Sequence, residues 1–257
     1  MRRIGKEVPA GEYWASRGSA YATEVEDAYH DHRLAVVRAL VAPFEATGRT
    51  VVDFGCGDGV MMPDFPKAEI IGIDADGGLL GKAKARCPRA SLHHGSVEAL
   101  EKLSDESADL LIAINVLAYL TDDEDRTFYQ HARRILKPGG TLVITHSNQL
   151  FDLFTLNAYT NEFFRTEFNV DASTALARRD QPPDPLTYNI RENPLNYRYK
   201  LIHRGFIEER QAFINFHPAP PLFGKHDTYR DTLGCPPGEQ WKLMFQCSTF
   251  GSRSIRI

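Results

Sequence analysis

The chain has 257 residues, 42% of them hydrophobic, which suits one large domain, or one domain with elaborations, around a real core. Its formal net charge of −4 argues against a counterion-driven grip on DNA or RNA. The opening MRRIGKEVPAGEY lacks the apolar stretch of a secretory signal, and no apolar run approaches membrane-spanning length, so a cytoplasmic protein without a membrane partner is expected.

In chain order, residues 12–46 read as helical, with Leu34, Val37, Leu40 and Val41 at helical spacing and Pro43 to Gly48 as the stop. Residues 50–54 form a short apolar strand. Residues 69–73 form a second, which ends on Asp74. A helix over 77–86 stops before Pro88, and residues 91–94 are a third strand. DLLIAIN, at 109–115, is apolar throughout, as a parallel strand buried on both faces should be. A helix over 122–136 is stopped by Pro138-Gly139-Gly140, and a fifth strand covers 141–145. Strands alternating with helices predict an α/β fold: a doubly wound, mostly parallel sheet of seven strands with helices on both faces. After Ser147 the rhythm breaks. Residues 148–200 read as an insertion, strand pattern returns at 206–216, a proline-rich loop fills 217–240, and KLMFQCSTF reads as a last strand at or near an edge. The domain plan is therefore one unit: a helical cap over 1–48, a core over 49–147, the insertion, and C-terminal strands over 201–257. Cys56, Cys87, Cys235 and Cys247 form no CxxC pair and read as free thiols in a reducing compartment.

The chemistry concentrates in VVDFGCGDGV, residues 51–60. A strand that ends in a glycine turn and leads to a helix bares backbone N–H and C=O groups at its carboxyl end, where open parallel sheets bind ligands. A dinucleotide fingerprint would need its third small residue at 60, which is Val60, and no Lys-Ser or Lys-Thr follows to make a phosphate loop. Asp74 can accept hydrogen bonds from both hydroxyls of a ribose. Asp53 puts negative charge beside the loop, which suits a cationic ligand better than a pyrophosphate.

VVDFGCGDG, IIGIDAD, ADLLIAINVLAYL and RRILKPGGTLVIT, in this order, resemble the class I S-adenosylmethionine-dependent methyltransferases over about residues 50–146. YWASRGSAY resembles the family's cofactor-capping helix. The resemblance implies S-adenosylmethionine as cofactor and S-adenosylhomocysteine as its product. It places Asp53, Gly55, Cys56 and Gly57 at the methionine part, Asp74 at the ribose with Ala75 nearby, and Asn115 at the amino-acid end. Tyr13, Arg17 and Tyr21 would close over the ligand, with Arg17 on its carboxylate. Where the family carries an acid for the adenine amino group this chain has Ser96, so backbone groups of Ser96 and Val97 are expected to take part.

The same resemblance implies an acceptor pocket built from the insertion and the 217–240 loop. His146 and His217 end strands at that edge and are the candidate general bases; each can equally be a structural histidine. Tyr119 follows the fourth strand and could orient the acceptor. No His or Cys cluster has zinc-like spacing, and the acids 122–125 begin a helix, so no metal is expected. The function implied is methyl transfer to an oxygen or nitrogen of a small molecule: a sugar, a nucleotide-sugar, an amine or a natural product. An RNA or protein methyltransferase and a non-catalytic cofactor-binding regulator stay open beside it.

Overall fold

A computed structural model describes residues 2–4, 27–151, 162, 165–166, 189–216, 232, 235 and 237–257. Seven strands form the main array. β2 (Thr50–Phe54), β3 (Glu69–Asp74) and β4 (Ser91–His94) run parallel toward one side. On the other side of β2 come β5 (Ala108–Ala113) and β6 (Leu136–Asn148), also parallel. β9 (Cys247–Arg256) then pairs antiparallel with β6, and β8 (Phe206–Phe216) pairs antiparallel with β9. Two short strands bring the sheet to nine: β7 (Asn189–Glu192) joins the tip of β6, and β1 (Arg2–Ile4) pairs with β7.

Both faces of the sheet are covered, because the central strands carry apolar residues at consecutive positions. Val51, Leu110 and Ile112 pack under α1 (Asp27–Val41) and α2 (Gly77–Arg86). Val52, Phe54 and Leu111 pack under α3 (Asp122–Ile135) and α4 (Tyr197–His203). Phe54 meets Phe128 of α3 with ring centroids 5.0 Å apart. Removing such a ring costs about 3–5 kcal/mol. The acids that open α3 have the helix role read from the sequence. Thr121 accepts from Glu124 N while Glu124 accepts from Thr121 N, a reciprocal cap. Among the described residues no group of three metal-ligating side chains forms, and no helix is long and apolar enough to cross a membrane.

Three expectations shift. α1 ends at Val41, short of residue 46, while residues 5–26, which hold the first part of the expected helix, lie outside the described residues. β6 is longer than 141–145: its pairing with β5 jumps from Ala108↔Leu136 to Leu110↔Thr141, so the proline-glycine turn is looped out within the strand. The last strand is Cys247–Arg256, in the interior between β6 and β8, while residues 237–242 form a 3-10 turn. Its polar tail is compatible with burial because the hydroxyls find partners. Ser252 donates to Glu208 at 2.7 Å and lies 3.2 Å from the Ser254 hydroxyl. Gly251 lets β9 pass under α1, where a Cβ would lie 2.8 Å from a Leu40 methyl.

Candidate active site

The glycine loop folds back over the next strand. Gly55 N and Cys56 N both donate to the Ile73 carbonyl, at 2.8 and 3.0 Å. Gly55, Gly57 and Gly59 all have positive φ, at 70°, 54° and 75°. Their surroundings separate their roles. A Cβ on Gly55 would fall 2.6 Å from Val116, and one on Gly59 would lie 3.0 Å from the Met62 sulfur, so packing demands glycine at both. A Cβ on Gly57 would meet nothing within 4 Å: this is the glycine that opens onto free space.

That space is a cavity of about 340 Å³ at the carboxyl ends of β2 to β5. Asp53, Gly55, Cys56, Gly57, Asp74, Ala75, Ser96 and Asn115 all line it, so most of the predicted cofactor residues come together. Val97 is buried behind them and does not line it. The Asp74 carboxylate holds the loop itself: one oxygen accepts from Gly57 N at 2.7 Å, the other from Asp76 N at 2.8 Å. A carboxylate has about four acceptor positions, so capacity remains for a ligand's hydroxyls. Burial raises the Asp74 pKa and those two bonds oppose it. Asp53 has no such help. Burial, then the charges of Asp74 and Asp58, push its carboxyl up to about 7. Burial, then the charges of Asp53, Asp74 and Asp58, push the Cys56 thiol far up, so it stays protonated. Asn115 stands at φ 56° with its N–H on the Thr145 hydroxyl at 2.8 Å.

Among the wall residues that escaped the sequence reading, two polar ones come from α1. His30 and Arg33 reach the cavity from α1, with Arg33 Nη2 2.6 Å from His30 Nδ1. Their spacing of three, one turn before Leu34 and Val37, was the available signal: it sets them beside the apolar face of α1.

Neither His146 nor Tyr119 lines this cavity. His146 lies 3% exposed in the core, its ring centroid 4.6 Å from Tyr197 and 5.5 Å from Phe250. Its Nε2 is buried with no hydrogen-bond partner, and burial, then the Lys200 charge, holds its pKa well below the usual histidine range. Tyr119 sits in a 3-10 turn after β5 and does not line the cavity. His217, Tyr13, Arg17, Tyr21 and most of the expected acceptor walls lie outside the described residues.

The cavity fits the ligand that the sequence points to: an opening beside a glycine N–H, a ribose-competent acid, and a second acid left among like charges. Residues 51–140 match the family described as a methyltransferase domain. A probable S-adenosylmethionine-dependent methyltransferase of Mycolicibacterium smegmatis is 29% identical over 154 residues, 59% of this chain and 58% of that one. A trans-aconitate 2-methyltransferase of Methylobacterium radiotolerans is 33% identical over 128 residues, 48% of this chain and 47% of that one. The chain thus spans about half to three-fifths of these relatives' length. The crystal structure of the N-methyltransferase NodS from Bradyrhizobium japonicum, with S-adenosylhomocysteine bound, superposes with a TM-score of 0.57 at 13% identity, covering 96% of each chain. Fold, glycine loop and relatives point the same way: residues 51–140 match a methyltransferase domain, and the chain resembles the class I, S-adenosylmethionine-dependent methyltransferases.

Proposed function

We propose that this chain transfers a methyl group from S-adenosylmethionine to an oxygen or nitrogen of a small-molecule acceptor. The observation that carries this is the cavity wall that joins Asp53, Gly57 and Asp74 at the carboxyl edge of the sheet. Bound there, the cofactor supplies a sulfonium methyl for in-line displacement. The chain's residues do the rest by binding and orientation. Asp74 accepts from the ribose hydroxyls while it keeps Gly57 in place. Asp53 faces the cationic methionine end. Gly57 leaves room for close approach of the backbone. Val116 and Leu34, also on the wall, help to exclude water.

Arg33 and His30 favour an acceptor with an anionic group, because an arginine 5% exposed in a cavity wall suits a carboxylate. Trans-aconitate, in the name of one relative, is a small molecule of that kind. The test is transfer of labelled methyl to a panel of carboxylic acids, phenols, sugars, amines, RNA and peptides. Label on a carboxylic acid or hydroxyl compound, lost in Asp74→Ala, is the expected result. Label only on RNA or peptide would overturn the acceptor class, and no transfer with tight cofactor binding would favour a non-catalytic regulator.

A further inference from the structure

The strand ends trace the cofactor's path. β2, β3 and β4 are consecutive parallel neighbours. Their carboxyl ends carry the glycine loop, Asp74, and Gly95 with Ser96, all on the cavity wall. Neighbouring strands lie about 4.8 Å apart. A ligand with its methionine end at the loop and its ribose at Asp74 therefore puts its base at Ser96. This step rests on the placement proposed above.

The backbone of Ser96 is already engaged. Its N–H donates to Glu98 Oε1 at 2.7 Å, and its carbonyl accepts from Ala99 N at 3.0 Å. Gly95, at φ 147°, is needed for this turn, since a Cβ there would lie 2.7 Å from the same Glu98 oxygen. Glu98 itself is exposed and off the cavity wall, and so is not the group that reads the base. The Ser96 hydroxyl remains, on a side chain that is buried and lines the cavity. Also on the wall, Asp76, which caps the start of α2, has one oxygen tied to the N–H groups of Gly78 and Leu79, and Lys82 of α2 is a donor that suits an oxo oxygen. A hydroxyl rotates and can either accept or donate. It accepts from an exocyclic amino group and donates equally well to an exocyclic oxygen. A carboxylate in its place would only accept.

We infer that Ser96 makes the base site tolerant at the 6-position of the purine, so that a 6-oxopurine nucleoside thioether binds nearly as well as the 6-amino one. Calorimetric titration of the full chain with S-adenosylhomocysteine and with S-inosylhomocysteine tests this. The two dissociation constants should agree within about tenfold, the difference one neutral hydrogen bond can make. Ser96→Asp should open the ratio to about a hundredfold in favour of the amino purine, because a carboxylate repels an oxo oxygen. Ser96→Ala should weaken both ligands by a few fold. A wild-type ratio above a hundredfold overturns the inference. So does an unchanged ratio in Ser96→Asp that unfolds at the wild-type temperature, or a Ser96→Ala variant that binds both ligands as wild type does. Asp74→Ala isolates the underlying placement: if it leaves S-adenosylhomocysteine binding unchanged, the ribose is not at Asp74 and the proposed site falls with it.

Discussion

Asp109 and Asp53 lie on neighbouring parallel strands, 6% and 4% exposed, at opposite ends of the sheet. At the amino edge Asp109 accepts from Arg49 and Lys137 at 2.8 Å and from Thr50 N at 3.0 Å. Burial pushes its carboxyl up, but the bonds from Lys137, Thr50 and Arg49 outweigh that and leave it below the usual carboxylate range. At the carboxyl edge Asp53 has burial and two further carboxylates against it, and it rises to about 7. The fold satisfies one buried acid completely and leaves the other among like charges in the wall of a cavity. Perturbed carboxyls of this kind concentrate at functional sites, which agrees with the ligand role proposed for Asp53.

Breaking the carboxyl edge should cost binding. Asp74→Ala removes charge-assisted bonds to the ribose, each about 1.5–3 kcal/mol, and frees the Gly57 N–H as well. Cofactor affinity should fall about ten- to a hundredfold by calorimetry.

Breaking the amino edge should cost stability instead. In Asp109→Ala the Arg49 and Lys137 pairs count for little, since those side chains are about half exposed. The loss comes chiefly from the Thr50 N–H left without its acceptor. About 1–3 kcal/mol of unfolding free energy should go, with the cofactor dissociation constant unchanged within about twofold.

Asp53→Asn should move stability the other way. A carboxyl whose folded pKa is about 7 against an ordinary 3.8 destabilises the fold in its ionised form. That loss is absent below about pH 4, grows as pH rises to about 7, and is complete above it. The ligand-free variant should therefore match wild type in chemical denaturation at pH 4 and exceed it at pH 8 by at least about 1 kcal/mol.

The smallest effect is expected at His146. Its ring sits among aromatics with an unpartnered Nε2, so His146→Phe should shift the unfolding free energy by less than about 1.5 kcal/mol. The pH–rate profile for methyl transfer should keep its shape. A lost alkaline or acidic limb would return His146 to the chemistry.

Much of this contrast was legible in the sequence. The alternation of apolar strands with capped helices is local, and so are the glycine loop and the acids Asp53 and Asp74. The interior position of β9 was not: the sequence pattern ends the last strand at Phe250 and sets it at or near an edge, and only the long-range partners Glu208 and Leu40 make residues 251–254, GSRS, part of an interior strand. The expectation for His146 met a related limit. It lies within β6, two residues before the strand's end, and Tyr197, far along the chain, covers its ring. Arg33 was hidden inside a helix whose apolar spacing drew the attention. The pairing of Ser96 N with Glu98 depends on a turn geometry that composition does not encode.

The central claim is that Asp53 is held for the cationic end of the cofactor. The direct measurement is the dissociation constant of S-adenosylmethionine between pH 5.5 and 8, for wild type and for Asp53→Asn. The ligand's own amino group titrates in both proteins, so the difference between the curves reports Asp53. Wild type should bind more tightly as pH rises, by up to about tenfold per unit until about pH 7, and then level off. The variant should lack that rise and bind more weakly at pH 8. Two parallel curves of equal affinity would contradict the account.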